Sequence, residues 1–217
     1  MTETAAATPE TGTPRDERTI ARLWRDGVAA GRSRPAYLVE SDEGWRDVSW
    51  TDADRRVRDY ANGLLARGIG KGDAVAILAQ TSLEWALADF ALAQVGAVVI
   101  PIYANSSAAD VGYLLGHSDA VGIVYDDEAQ REKVEEVATK LPALREVVAF
   151  DHLDELAGTG RRFAEANPSA LDDAAARLAE DDLYTIIYTS GTTGPPKGCM
   201  ISHRNYYAMA SVVDSMG

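Results

Sequence analysis

Residues 188–198 combine small hydroxyl side chains, glycines, a proline pair and a single lysine. They follow an apolar run, residues 183–188, that is predicted to be a buried strand. Glycines let the backbone turn so that successive N–H groups point into one concavity, and such a concavity binds anions. Hydroxyls add hydrogen-bond donors, and a lysine adds a compact positive charge. The segment is therefore predicted to bind phosphate.

We call residues 189–198 the phosphate loop. Its predicted nucleotide contacts are Thr189, Ser190, Gly191, Thr192, Thr193, Gly194, Lys197 and Gly198. It differs from the P-loop of the common nucleotide hydrolases, in which Gly-Lys-Ser/Thr stand in direct succession, because Pro196 precedes the lysine and Gly198 follows it. The prolines donate no hydrogen bond, but their fixed φ stiffens the segment that carries Lys197. A flexible linker is the alternative interpretation, and it is disfavoured because linkers need no lysine fixed after a proline pair.

The order of Ser, Thr, Gly, Pro and Lys in this loop resembles the phosphate-binding loop of the adenylate-forming enzymes. That family includes acyl-CoA synthetases, luciferases and the adenylation domains of peptide synthetases. Trp50-Thr51, at the entry to a helix, and residues 92–101, a helix, a glycine and a strand ending in proline, are similar to two further motifs of the family. The resemblance runs from about residue 20 to the end of the chain.

Residues 101–107 and 197–205 are similar to the bacterial long-chain fatty acyl-CoA synthetases within this family. Two alternatives stay open because the acyl pocket of the family lies further downstream. One is another carboxylate-adenylating ligase that acts on an aryl acid or an amino acid. The other is a non-catalytic nucleotide-binding protein of the same fold.

The resemblance implies a two-step reaction in which ATP and a fatty acid give an acyl-adenylate and pyrophosphate, and coenzyme A then takes the acyl group. Lys197 would be the catalytic residue, because its charge would stabilise the departing pyrophosphate. Mg²⁺ would bridge phosphate oxygens and need few protein ligands, with Thr193 offering an oxygen. No metal site made by the protein alone is predicted.

The net charge and the cysteine content of the chain exclude some kinds of partner and an intrachain disulfide. Lys and Arg number 21 against 34 Asp and Glu, a formal charge of −13, which argues against nucleic acid and anionic lipid as partners. Only transient contact with a membrane surface, to collect a lipid substrate, stays open. The single cysteine, Cys199, allows no intrachain disulfide, fits a cytoplasmic location and is predicted to be a buried thiol. The oligomeric state is left unassigned.

No secretory signal is visible, and no transmembrane segment is predicted. The most apolar window, residues 86–102, is interrupted by Asp89, Gln94, Gly96 and Pro101, which indicates a helix followed by a strand.

Alternating strands and helices predict an α/β fold, with mostly parallel sheets flanked by helices. Strands are expected at residues 36–40, 45–50, 73–78, 97–102, 121–125, 147–150 and 183–188. Helix starts are expected at Thr51 with Asp54, at Thr81 with Glu84 and at Ser107 with Asp110, and helix ends at Gly68 and Gly96. Residues 151–182, rich in Ala, Asp and Glu, are interpreted as a helical stretch that forms a solvated connection back to the sheet.

Residues 1–17 are expected to be a disordered tail, and residues 18–217 part of an amino-terminal AMP-binding domain, truncated before a carboxyl-terminal lid. We expect such an isolated piece to be a poor or inactive catalyst that binds triphosphate weakly, and its sheet to have an unpaired edge or an uncovered face. His203, after the helix cap Ser202, has two interpretations: a phosphate or acyl contact, or a structural residue, of which the second is favoured. His117 and His152 are expected to be ordinary helix-end or loop residues.

Overall fold

The computed structural model describes residues 18–41, 44–189 and 194–215. The predicted tail, residues 1–17, lies outside the described residues. Four predicted site residues also lie outside them: Ser190, Gly191, Thr192 and Thr193.

Helix α1 (Ile20–Ala29) comes first and is capped by the Thr19 hydroxyl, which accepts a hydrogen bond from Arg22 N. Strands β1 (Tyr37–Ser41) and β2 (Gly44–Val48) then form the predicted antiparallel hairpin as a separate two-stranded sheet.

The main sheet has six strands in the order β6-β5-β3-β4-β7-β8. These strands are β3 (Ala74–Ala79), β4 (Val98–Tyr103), β5 (Gly122–Tyr125), β6 (Glu146–Ala149), β7 (Leu183–Thr189) and β8 (Lys197–Ser202). All neighbouring pairs are parallel except β7 with β8. Every residue of β3 is buried, as a parallel strand covered on both faces requires. The predicted α/β fold class is therefore confirmed.

Two hydrophobic cores lie on opposite faces of this sheet. The helices are α2 (Trp50–Ala66), α3 (Leu83–Val95), α4 (Ala108–His117), α5 (Glu128–Ala138), α6 (Leu153–Ala166), α7 (Ala170–Ala176) and α8 (His203–Ser215). Residues of α4 and α5 form one core with the sheet, and residues of α1, α2, α3, α6 and α7 form the other. Burying both faces of the sheet in this way is the usual source of stability for an α/β domain.

Two of the predicted helix starts are wrong by one or two residues. Ser49, with an extended backbone, caps α2 by accepting from Asp52 N, so Thr51 already lies in the helix. Ser82 likewise caps α3 by accepting from Trp85 N, in place of Thr81. In each case a neighbouring serine, two residues before Thr51 and one residue after Thr81, places its hydroxyl three residues before a free backbone N–H. The capping box at Ser107 and the end of α3 at Gly96 are confirmed.

Helix α6 corrects the interpretation of residues 151–182 as a solvated connection. Leu153, Leu156, Ala157 and Gly160 repeat at helical spacing and are buried. They pack against α2, and the two helices approach so closely that a Cβ on Gly160 would lie 1.9 Å from Asp59 O. A Cβ on Gly63 would lie 2.5 Å from Leu156 O. Glycine is needed at this crossing because backbone atoms occupy the space of a side chain.

Gly160→Ala is therefore expected to destabilise the fold by about 3 kcal/mol, the cost of forcing a methyl group into a packed contact. The matched control is Gly158→Ala in the same helix, where the nearest atom to an added Cβ is the end of the Arg162 side chain, 3.6 Å away. That control should gain about 0.5–1 kcal/mol, because alanine favours a helix over glycine. Urea unfolding measures both. Equal stabilities for the two variants would contradict the close crossing.

Candidate functional site

The predicted phosphate loop joins β7 to β8 at the carboxyl edge of the parallel strands. Thr189 and Lys197 are paired residues in the antiparallel register, so residues 190–196 span the turn. Strand β7 runs parallel to β4, with Val99 paired to Thr185. In open α/β sheets this edge is where ligands bind. The sheet thus places both ends of the loop where a ligand site is expected.

Thr189 and Lys197 present their side chains on the same face of the hairpin, as directly opposite residues do. Both residues are exposed. Gly194, also exposed, has φ 92°, a conformation that a residue with a Cβ rarely adopts. The turn therefore has the Thr189 hydroxyl, the Lys197 ammonium group and Gly194, with its positive φ, at its ends. A phosphate-binding segment requires groups of this kind.

Gly198 has a packing role that the sequence did not indicate. A Cβ there would lie 2.7 Å from Ile186 Cγ2 and 3.4 Å from Tyr188 Cζ. The ring of Tyr188 thus lies across the backbone of the paired strand. Gly198 is needed for this close approach, whether or not its N–H also contacts a nucleotide.

Helix α4 contacts both sides of the loop, through residues that the sequence analysis did not select. The Tyr113 hydroxyl donates to Pro196 O at 3.1 Å. His117 Nδ1 lies 2.8 Å from the Tyr188 hydroxyl, and its ring meets the Tyr188 ring edge-on. His117 does end a helix, as predicted. The only signal in the sequence for these contacts was the spacing of four residues between Tyr113 and His117.

A cavity of about 220 Å³ adjoins the loop at the carboxyl ends of β3, β4 and β7. Strands β4 and β7 share one registered pair, and Pro101, further along β4, has no N–H to extend the ladder. The lining has no charged residue and consists of Ala79, Thr81, Trp85, Pro101, Ile102, Tyr103, Ser106, Leu114, Ile187 and Tyr188. An apolar space therefore lies directly beside the loop.

His203 is buried, with 0% of its surface exposed, and its structural interpretation is the one that the structure supports. Its Nδ1 accepts from Ile20 N at 3.2 Å, which ties α8 to the start of α1. Because Nδ1 accepts, the proton of the neutral ring is on Nε2, which has no hydrogen-bond partner among the described residues. A side chain without exposed surface contacts no ligand in this conformation.

The His203 ring stacks on Tyr184, whose hydroxyl donates to the buried Asp89 carboxylate at 2.6 Å. Burial raises the pKa of Asp89 to about 6, although the bond from Tyr184 opposes this shift. Burial also lowers the pKa of His203 to about 4. Both shifts favour the neutral form, although Asp89, with a pKa of about 6, is mostly ionised at pH 7. The network joins α1, α3, β7 and α8.

Cys199 is exposed, and the prediction of a buried thiol is therefore wrong. It lies on β8, which is an edge strand of the main sheet among the described residues. Its neighbour Met200 is 64% exposed, so both faces of this strand are open within the described residues. Because side chains alternate along a strand, Cys199 shares its face with Lys197.

The described residues contain no group of three or more His, Cys, Asp or Glu side chains arranged to hold a metal ion. Around the loop, a threonine hydroxyl and a lysine are the chemistry of a phosphate site, and such a site leaves Mg²⁺ to be bound mainly by phosphate oxygens. None of the helices in this part of the chain has the length and apolar character needed to cross a membrane.

Comparison with known proteins adds to this geometry. The profile described as AMP-binding enzyme matches residues 24–217. The chain belongs to this family. The long-chain-fatty-acid–CoA ligase FadD15 of Mycobacterium bovis is 39% identical over 193 residues, which are 83% of this chain and 32% of that ligase. The chain thus spans about a third of the length of this relative.

Solved structures of the family share the fold. The amino-terminal domain of FACL13 from Mycobacterium tuberculosis is 26% identical with a TM-score of 0.71, covering 85% of this chain and 44% of that one. A long-chain-fatty-acid–CoA ligase from Archaeoglobus fulgidus is 21% identical with a TM-score of 0.76, covering 90% and 39%. The resemblance inferred from the phosphate loop is confirmed at the level of family and fold.

The Asp89–Tyr184–His203 network predicts opposite pH dependences for two variants. Asp89 has a raised pKa when folded, so its contribution to stability is lost as pH rises from about 4 to 6. His203 has a lowered pKa, so its contribution is lost as pH falls from about 6.5 to 4. In the wild type the two effects partly cancel.

Asp89→Asn should therefore make the free energy of unfolding rise more steeply with pH in this window, by up to about 1 kcal/mol per pH unit. His203→Asn should make it rise less steeply, and its Oδ1 can still accept from Ile20 N. Urea unfolding at pH 4.5, 5.5 and 6.5 gives the slopes. If both variants kept the wild-type dependence of the free energy of unfolding on pH, neither Asp89 nor His203 would have the pKa shift that its burial requires.

Proposed function

We propose that the full-length protein activates a long-chain fatty acid in two steps. The fatty-acid carboxylate attacks the α-phosphorus of ATP, the bond to pyrophosphate breaks, and an acyl-adenylate forms. The thiol of coenzyme A then attacks the acyl carbon, which gives acyl-CoA and releases AMP. The observation that carries this proposal is the exposed Thr189–Lys197 pair at the carboxyl edge of the sheet. The identity to a long-chain-fatty-acid–CoA ligase supports the choice of substrate.

The residues of the phosphate loop have different roles in binding the triphosphate. Lys197 neutralises charge on the departing pyrophosphate, where a fixed cation stabilises the transition state more than the ground state. Thr189, Ser190, Thr192 and Thr193 donate to phosphate oxygens, and Gly191, Gly194 and Gly198 let backbone N–H groups approach. Thr193 would hold Mg²⁺ together with the phosphates, and the ion would supply charge neutralisation there. Because the chain spans a third of its relatives, the complete reaction is proposed for the full-length enzyme, and the 217 residues alone are expected to bind triphosphate without turnover.

Two alternatives have less support. An amino-acid substrate would carry an ammonium group, and the cavity beside the loop has no charged side chain to pair with it. The second is a non-catalytic nucleotide-binding protein; the identity to a long-chain-fatty-acid–CoA ligase favours a catalyst over this alternative. We also propose a cytoplasmic location, with transient contact at a membrane surface when the lipid substrate is collected.

Exchange of labelled pyrophosphate into ATP tests the proposed function in the full-length protein. Exchange that depends on hexadecanoate is expected, because the adenylation step is reversible and needs no coenzyme A. Exchange that depends instead on benzoate or on an amino acid would transfer the proposal to another carboxylate. ATP binding without exchange for any acid would favour the non-catalytic alternative.

Lys197→Ala should lower the exchange rate by about 10- to 100-fold, the usual loss when one charged contact to the transition state is removed. Lys140→Ala, which removes an exposed lysine just beyond α5, is the control and should keep the wild-type rate. An undiminished rate in Lys197→Ala would remove this residue from the mechanism.

ATP should also slow the alkylation of Cys199, because the thiol is exposed on the same face of β8 as Lys197. Cys199 is the only cysteine, so mass spectrometry after iodoacetamide treatment reports on this position alone. In Lys197→Ala the protection should weaken. Equal rates with and without saturating ATP would indicate that the nucleotide binds elsewhere.

A further inference from the structure

Tyr113 and His117 stand one helical turn apart on α4, and this spacing puts their side chains on one face of the helix. We call these two residues the α4 pair. Their rings lie 5.4 Å apart. Tyr113 binds the last residue of the turn, at Pro196 O, and His117 binds the strand before the turn, at the Tyr188 hydroxyl. One rigid element therefore holds both ends of the segment that spans residues 190–196.

The loop needs such support because of its place in the sheet. Strand β8 is an edge strand, bonded only to β7, so the pairing of these two strands is all that the sheet provides. The last registered pair of the ladder joins Thr189 to Lys197, and Pro196 lies just beyond it. Pro196, which directly precedes Lys197, lacks an N–H, and its carbonyl is the group that Tyr113 binds. The hydrogen bond thus acts one residue away from the predicted phosphate cation.

The contacts also fix the direction of the lysine. The Tyr188 ring covers Gly198 on the α4 side of the hairpin. Alternation along β8 then directs the side chain of Lys197 to the opposite face, away from α4. Burial raises the pKa of Tyr188, so its hydroxyl keeps its proton at neutral pH and can donate to His117 Nδ1. Either tautomer of the imidazole keeps the contact, because the hydroxyl donates to a bare Nδ1 and accepts from Nδ1–H.

We propose that Tyr113 and His117 are positioning residues for the phosphate loop: they hold its two ends from behind, so that Lys197 faces the triphosphate. This inference rests on the proposed function and adds to it two residues outside the loop. Neither residue is placed in contact with the nucleotide, and each acts through Pro196 or Tyr188.

Tyr113→Phe in the full-length protein removes the bond to Pro196 and keeps the ring. It should lower kcat/KM for ATP in pyrophosphate exchange about fivefold, mostly through KM, which corresponds to about 1 kcal/mol. The KM for the fatty acid should not change. Tyr125→Phe is the matched control: its ring belongs to the same core, and its hydroxyl has no hydrogen bond in the described part of the chain. A purely structural role for Tyr113 would reduce the amount of active enzyme, which lowers kcat and leaves the KM for ATP unchanged.

Combining variants shows through which residue each effect acts. Tyr113→Phe should cause no further loss in a Lys197→Ala background, because a misplaced lysine and an absent one are equivalent. His117→Ala and Tyr188→Phe remove the same hydrogen bond from its two ends, so their effects should be similar and should not add. Independent, additive losses in either combination would overturn the inference.

The outcomes separate the inference from the function on which it rests. A wild type without acid-dependent exchange would overturn both. Exchange that Lys197→Ala reduces, while Tyr113→Phe and His117→Ala match the wild type in KM for ATP, would overturn the positioning role alone.

Discussion

The pairing of β7 with β8 is the constraint on which the candidate site depends. It places Thr189 opposite Lys197 and joins β8, which is antiparallel to its neighbour, to the parallel strands of the main sheet. Without it, a hydroxyl-rich turn and a lysine would have no fixed relation to each other or to the sheet edge. The pairing in turn favours Gly198, because a Cβ there would lie 2.7 Å from Ile186 Cγ2. A glycine that resembles part of a phosphate motif thus also permits the strand register.

The far end of β7 is fixed by a different kind of interaction. Tyr184 donates to Asp89 in the core, and its ring stacks on His203, whose Nδ1 accepts from the first residue of α1. Every member of this network is neutral near pH 7 except Asp89, whose pKa of about 6 lies closest to that range. Polar groups buried in this way define which elements meet, since each donor needs its own acceptor. Strand β7 is thus held by polar contacts at one end and by the α4 pair at the other.

Much of this fold could be predicted because apolar runs and capping residues are local signals. The strands of the main sheet that the sequence predicted lie within a residue or two of their observed bounds, and Ser107 with Asp110 forms the expected capping box. What failed depended on contacts distant in the sequence. The alanine and glycine residues of α6 gave no signal in the sequence that one face of this helix is buried. The close crossing of α6 with α2 explains that burial. Cys199 looked buried by residue type, yet its exposure follows from the edge position of β8.

The site shows the same division between local and distant signals. The loop was recognisable because its residue types perform the chemistry, whereas Tyr113 and His117 touch no substrate and leave only a spacing of four residues in the sequence. Their role depends on α4 lying behind the β7–β8 hairpin, which is a property of the sheet order. Phosphate binding by a flexible turn would cost conformational entropy with each nucleotide bound. Support from a helix reduces that cost before the nucleotide arrives, and this is the physical reason to expect positioning residues behind a glycine-rich loop at a sheet edge.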